Sequence, residues 1–201
     1  GSDWLAVGAG DFNADGRSDI LLQNKADGAC FVWELDERTL IDHGYVGWIA
    51  GPDWQVKATG DFNGDGYSDI LLQHAKDSSC FVWEFNGKTL IDSGYVGWAA
   101  GPDWAVKGTG DFNGDGKSDI LLQNAKDGSC FIWAMDGKKL VDSGYVGWTP
   151  GPDWQVKSTG DYNGDGRSDI LLQYGPDGSS FVWEMNGRAL VDSGYVGWTP
   201  G

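Results

Sequence analysis

Gly110-Asp111-Phe112-Asn113-Gly114-Asp115-Gly116-Lys117-Ser118-Asp119-Ile120 decides how the rest of the chain is read. The stretch recurs four times, its leading Asp falling at Asp11, Asp61, Asp111 and Asp161, fifty residues apart. Each copy sets oxygen-bearing side chains at loop positions 1, 3, 5 and 9. They are Asp11, Asn13, Asp15 and Asp19, then Asp61, Asn63, Asp65 and Asp69. The third and fourth copies supply Asp111, Asn113, Asp115 and Asp119, then Asp161, Asn163, Asp165 and Asp169. Alternate residues of a tight loop face one centre, and a hard cation takes about six to eight oxygens at about 2.3–2.6 Å. Glycine at position 6 permits the sharp turn, because it accepts a positive φ without a Cβ clash. Position 7 offers a main-chain carbonyl, from Arg17, Tyr67, Lys117 and Arg167. The spacing predicts a Ca²⁺ loop, four ions per chain.

A helix-flanked calcium loop would carry a carboxylate at position 12. Here position 12 is Leu22, Leu72, Leu122 or Leu172, inside the run Asp-Ile-Leu-Leu-Gln. That run is short, apolar and bounded by turn residues, which predicts a buried strand. The loop is therefore expected between two strands, with Asp at position 9 replacing the absent Glu. A metal-free Asp/Asn/Gly turn would not need three carboxylates at fixed spacing.

The formal net charge of −16 argues against nucleic acid and against anionic membrane surfaces. Twelve of the thirty acidic residues are the loop aspartates at positions 1, 5 and 9, so much of the acidity has a local purpose. No apolar run approaches the roughly 18 residues of a membrane span, so no membrane insertion is expected. Cys30, Cys80 and Cys130 share one repeat position, where the fourth repeat has Ser180. Equivalent positions of neighbouring repeats rarely meet disulfide geometry, so small buried thiols are expected.

Each unit reads as four strands. Trp54–Thr59 alternates apolar and polar residues, and Ile70–Gln73 follows the loop. A polar connection leads to Cys80-Phe81-Val82-Trp83-Glu84, rich in strand formers. Asn86-Gly87, Asp136-Gly137 and Asn186-Gly187 predict hairpins with type I′ turns, and Leu90–Val96 is the fourth strand. No helical pattern appears. The first repeat departs at Ala14 and at Asp36-Glu37, the fourth at Tyr162 and Ser180. If position 14 needs φ > 0, Ala14 is strained.

A fifty-residue period of four strands is the pattern of propeller blades, an all-β fold. At Gly-Asp-Phe-Asn-Gly-Asp-Gly-x-Ser-Asp-Ile the chain resembles the FG-GAP/VCBS repeat family along its whole length. The resemblance implies an integrin-alpha-like β-propeller of four four-stranded blades, with the loops binding calcium between the first and second strands. It implies one domain, 1–201, of repeats 1–50, 51–100, 101–150 and 151–200. The blades are expected to form a closed four-blade ring or half of an eight-bladed dimer, so monomer or homodimer.

Catalysis is not expected. His43 and His74 occupy non-equivalent positions. The loop carboxylates are committed to metal, and a saturated structural Ca²⁺ lacks the open position of a catalytic ion. Binding is suggested by twelve tryptophans, three in each repeat. Trp33, Trp83, Trp133 and Trp183 in the third strand are expected between blades, as are Trp4, Trp54, Trp104 and Trp154 opening the first. Trp48, Trp98, Trp148 and Trp198 stand in Gly/Pro-rich linkers, where packing and ligand contact are both open readings. In a meander the linker and the second connection share one face, opposite the acidic loops. There Trp148 would lie near Asn124 and Asp127, an apolar platform with fixed polar groups, the composition of a sugar site. Some calcium-containing fungal lectins have this propeller. The resemblance thus implies a secreted or cell-surface, calcium-stabilised, lectin-like module binding glycans at several sites. The alternative is a protein-binding or spacer domain of a secreted adhesin, its partner a cell-surface protein.

Overall fold

The alternating strand pattern and the turn residues between strands produce the same sheet in every repeat, four antiparallel strands in simple up-and-down order. We describe the chain from a computed structural model, which covers residues 3–47, 51–98, 101–147 and 151–198. Blade 1 comprises β1 (Trp4–Gly10), β2 (Asp19–Asn24), β3 (Cys30–Asp36) and β4 (Thr39–Gly47). Blade 2 comprises β5 (Trp54–Gly60), β6 (Asp69–His74), β7 (Ser79–Asn86) and β8 (Thr89–Trp98). Blade 3 comprises β9 (Trp104–Gly110), β10 (Asp119–Asn124), β11 (Cys130–Asp136) and β12 (Lys139–Val146). Blade 4 comprises β13 (Trp154–Gly160), β14 (Asp169–Tyr174), β15 (Ser180–Asn186) and β16 (Ala189–Gly197). There is no helix among the described residues.

The hairpins close differently from the expectation. Asn86 pairs with Thr89, so the two turn residues are Gly87 and Lys88, and only Gly87 has a positive φ, +61°. A type I′ turn needs two such residues, whereas one at the first central position is the type II′ pattern. The equivalent first-repeat residue is Glu37, held at φ +54° despite its Cβ.

The chain divides into two compact units, residues 1–102 with 137–139, and residues 103–136 with 140–201. In the first unit, β1 lies beside β5 and one core spans both blades. Phe12, Val32 and Val46 come from blade 1, and Ile70, Trp83 and Phe85 from blade 2. In the second unit, Phe112, Ile132 and Val146 meet Ile170, Trp183 and Met185 in the same way. Fully burying each such side chain contributes about 1.5–3 kcal/mol. Within each unit the third-strand Trp of the second blade lies against a glycine of the first. A Cβ on Gly47 would come within 2.3 Å of the Trp83 ring, and one on Gly147 within 2.5 Å of Trp183.

Polar clamps fix the register of these joints. The Gln23 amide donates to the Trp54 carbonyl at 3.0 Å, and its oxygen accepts from the Val56 amide at 3.0 Å. Gln123 repeats both bonds with Trp154 and Val156, at 2.9 and 3.1 Å. The Ser68 amide donates to the Asp11 carbonyl at 2.7 Å, as the Ser168 amide does to Asp111 at 2.6 Å. Cys30, Cys80 and Cys130 are buried and unbridged, as the spacing predicts, and burial pushes their thiols up to about 12. Thiols so protonated are unreactive packing residues.

The third-strand tryptophans Trp83, Trp133 and Trp183 are buried, but Trp33 is 40% exposed. The first-strand set differs from expectation, since Trp54 is half-buried at the core's edge and meets rings of its own blade. Its neighbours are His74, Phe81 and Tyr95, with ring centroids 4.9, 6.0 and 6.0 Å away. An edge-on cluster inside one sheet satisfies these aromatic quadrupoles without a second blade.

Candidate functional site

Each blade presents two chemically different ends. At one end lies the acidic loop between the first and second strands. In the second repeat, Asp61 accepts the amides of Gly64 and Asp65 on Oδ1, at 2.7 and 3.1 Å, and that of Gly66 on Oδ2 at 2.8 Å. Asn63 Oδ1 accepts the Asp65 amide at 2.9 Å, and Asp65 Oδ1 accepts the Tyr67 amide at 2.9 Å. The third and fourth repeats repeat this network around Asp111 and Asp161. Position 6 has φ between +82° and +88° in all four copies, as its glycine predicts. Position 4 also has positive φ, including Ala14 at +59°, so that alanine carries the strain its sequence position raised.

Position 9 has a role that sequence reasoning missed. Asp19, Asp69, Asp119 and Asp169 are fully buried. In each, one carboxylate oxygen accepts the amide of loop position 2 and the other that of the third strand. For Asp69 the donors are Phe62 at 2.9 Å and Phe85 at 2.8 Å. For Asp169 they are Tyr162 and Met185, both at 2.9 Å. Burial pushes Asp69 and Asp119 up to about 7, neighbouring loop carboxylates add to it, and the amide bonds pull the other way. The Asp was legible as a candidate ligand, but its bond to a strand sixteen residues on leaves no mark in the local sequence.

The loops offer oxygen donors only, the chemistry a hard divalent cation takes, on a backbone already turned. Among the described residues no three His, Cys, Asp or Glu side chains converge as a metal group, and the loop carboxylates receive backbone amides. Each such oxygen keeps a second lone pair for a cation. Basic side chains border two loops: Arg17 lies 3.5 Å from Asp15, and Arg167 lies 3.3 Å from Asp165. Lys117 pairs with Asp136.

At the other end lie the second connections. Asn124 Oδ1 accepts the Lys126 amide at 2.8 Å, and Asp127 Oδ1 accepts that of Ser129 at 2.9 Å. The Ser129 amide bond holds the Asp127 carboxyl below the usual carboxylate range. Both residues thus form their own turn, as Asn24 and Asp27 do with Ala26 and Ala29. Of the linker tryptophans, Trp48 and Trp148 lie outside the described residues, as does the Trp98 side chain. Trp198 is 63% exposed.

Two clefts of the first unit open at this end. One, of about 400 Å³, lies between blades 1 and 2 and is lined by Leu5, Val7, Gln23, Asn24, Lys25, Pro52, Trp54, Gln55 and Val56. The other, of about 440 Å³, is lined by Asp27, Ala29, Tyr45 and Gly47. Among the described residues, the ring at the first cleft is that of the first-strand Trp54.

A family profile described as FG-GAP-like repeat matches residues 61–122 and 111–172, together more than half of the chain. No curated protein sequence matches it. Among solved structures it is similar to an Agrocybe aegerita lectin described as recognising non-reducing terminal N-acetylglucosamine. The TM-score is 0.71 at 18% identity, over 93% of this chain and 50% of the lectin's. It is also similar to part of the Photorhabdus luminescens Tc holotoxin pore, with TM-score 0.50 and 16% identity over 98% of this chain and 12% of that one. The chain therefore spans half of the lectin's length and a small part of the toxin's. Four up-and-down sheets, the acidic loop in every first turn and the matched profile lead to one conclusion: the chain belongs to the FG-GAP-like repeat family, and its fold is that of β-propeller blades.

Proposed function

We propose that the chain is a carbohydrate-binding module, its acidic loops holding Ca²⁺ as rigid scaffold and its connection-end clefts taking sugar. The observation carrying this reading is the cleft between blades 1 and 2. There the Trp54 ring stands beside Asn24, Lys25 and Gln55, over the Gln23 amide that is already bonded to Trp54 and Val56. A sugar ring has an apolar C–H face and a rim of hydroxyls, and a flat indole with fixed amides matches both. Likeness of fold to an N-acetylglucosamine lectin supports the reading without establishing it. Several such clefts in one molecule would gain avidity from weak single sites, as suits a secreted or cell-surface protein.

In the loops, the side-chain oxygens of positions 1, 3 and 5 and the carbonyl of position 7 are the residues that would hold Ca²⁺. Bound there, the ion would offset the repulsion among those carboxylates. The latch aspartate at position 9 would keep the loop shut behind them.

A glycan array read with calcium and with EDTA tests the proposal. Binding of defined glycans that weakens in EDTA is expected, and an array blank in both conditions would overturn it. A protein-contact reading is favoured by one other observation, the outward Leu40, Ile41 and Tyr45 and their counterparts in every repeat. A blank array with capture of one cell-surface protein would select that reading.

A further inference from the structure

We propose, resting on the carbohydrate reading above, that the cleft between blades 1 and 2 selects sugars carrying a negative charge, with Lys25 the residue that receives it. Most hydrogen-bond acceptors of this cleft are already engaged. Gln23 spends its side-chain amide on Trp54 and Val56. Asn24 Oδ1 accepts the Ala26 amide at 2.8 Å, and Gln55 Oε1 accepts the Lys57 ammonium at 2.8 Å. Among the described residues, the polar side-chain atoms of the lining left without a bond are nitrogens: Asn24 Nδ2, Gln55 Nε2 and Lys25 Nζ. No carboxylate stands among the described residues that line it.

Lys25 owes its place to a shift of one residue. In the second and third repeats the lysine of this connection is Lys76 or Lys126, paired with Asp53 at 2.5 Å or Asp103 at 2.6 Å. The first repeat has Ala26 at that position and its lysine one residue earlier, where the other repeats have Ala75, Ala125 and Gly175. Among the described residues Lys25 makes no ion pair, and it lines the cleft instead. Its position is exposed in all four repeats, so the fold does not require a lysine there.

Carboxylate and sulfate groups only accept hydrogen bonds, and an ammonium flanked by amide N–H groups is their complement. The Trp54 indole takes the C–H face of the sugar while Lys25 takes its charged substituent. The other cleft of this end has the opposite sign, since Asp27 lines it beside Tyr45. A like charge there turns an acidic sugar away. The chain's net charge of −16 also repels anions, except within about 10 Å of a cation, the Debye length at 0.1 M salt. Charge selection therefore belongs to the Lys25 cleft.

Matched neutral, uronate-bearing and sulfated oligosaccharides, titrated on an array against the calcium-loaded chain, test the proposal. The charged members should bind about tenfold tighter than their neutral parent. That preference should shrink at about 1 M salt, where the Debye length is about 3 Å. Lys25→Gln removes only an exposed charge, so it should leave the Tm in place and erase the preference while the neutral sugar still binds. Lys25→Arg should keep the preference. Selection of the uronate alone, or of the sulfate alone, would support the proposal and name the anion. Neutral and charged sugars bound alike, or a preference that survives in Lys25→Gln, would overturn it and leave the carbohydrate reading standing. An array blank for every member would overturn both.

Discussion

At the loop end of a blade the residues at positions 1, 3, 5, 6, 8 and 9 return four times, and the loop's backbone amides are bonded. At the connection end the sequence changes from blade to blade. The residue after the clamp glutamine is Asn24, His74, Asn124 or Tyr174, and the next is Lys25, Ala75, Ala125 or Gly175. The turn there is held by its own Asp, so the neighbouring side chains can vary without loss of fold. His74 and Tyr174 lie tilted against Trp54 and Trp154, with centroids 4.9 and 5.1 Å away, which gives those blades different surfaces around one indole. The contrast teaches where constraint lies: the loop end builds the blade, and the connection end is free to recognise.

Calcium removal should break the comparison most visibly. A ligand at a hundredfold excess over its Kd stabilises by about 2.7 kcal/mol per site. Thermal melts should therefore drop several degrees on adding EDTA and recover with Ca²⁺. An unchanged Tm would mean that the loops stand on their backbone bonds alone.

The latch should come next. Asp69→Ala strips the acceptor from the amides of Phe62 and Phe85, each buried. Leaving two buried donors unmatched costs about 2–6 kcal/mol, to be read from urea unfolding. Asp61→Ala, on the exposed side of the loop, should cost about 1 kcal/mol, as a lost Asx cap does. Equal losses would erase the distinction between latch and ligand.

The smallest effects sharpen the repeat comparison. Ala14, Glu37 and Ser78 hold φ of +59°, +54° and +61° where other repeats have glycine. Replacing each by Gly should stabilise by about 1 kcal/mol, measured singly in urea. A loss would mean that the side chain makes contacts worth more than the strain.

The fifty-residue period, the strand pattern and the loop were legible because they depend on residues near one another in the chain. The hairpins were legible too, but the turn centre lay one residue on, because the register puts Gly87 rather than Asn86 first in the turn. The clamp by Gln23 was missed. A lone polar residue ending Ile-Leu-Leu reads as a strand end, and its partners Trp54 and Val56 lie 31 and 33 residues away. The exposure of Trp33 was illegible for a similar reason. Its local sequence resembles that of Trp83, so local sequence does not tell a 40% exposed ring from one that is 6% exposed.

The account rests on the two ends being separable, and one titration tests that most directly. Trp54→Leu keeps an apolar side chain at the core's edge but removes the indole platform. The glycan that binds best on the array, titrated calorimetrically into both chains in buffer whose calcium content is matched and then assayed per chain, reads both ends together. The account predicts affinity lower by about 1–3 kcal/mol at that cleft, as for loss of a buried interface aromatic, with four Ca²⁺ per chain retained. Sugar binding that is absent from the wild type, or unmoved in Trp54→Leu, would contradict it.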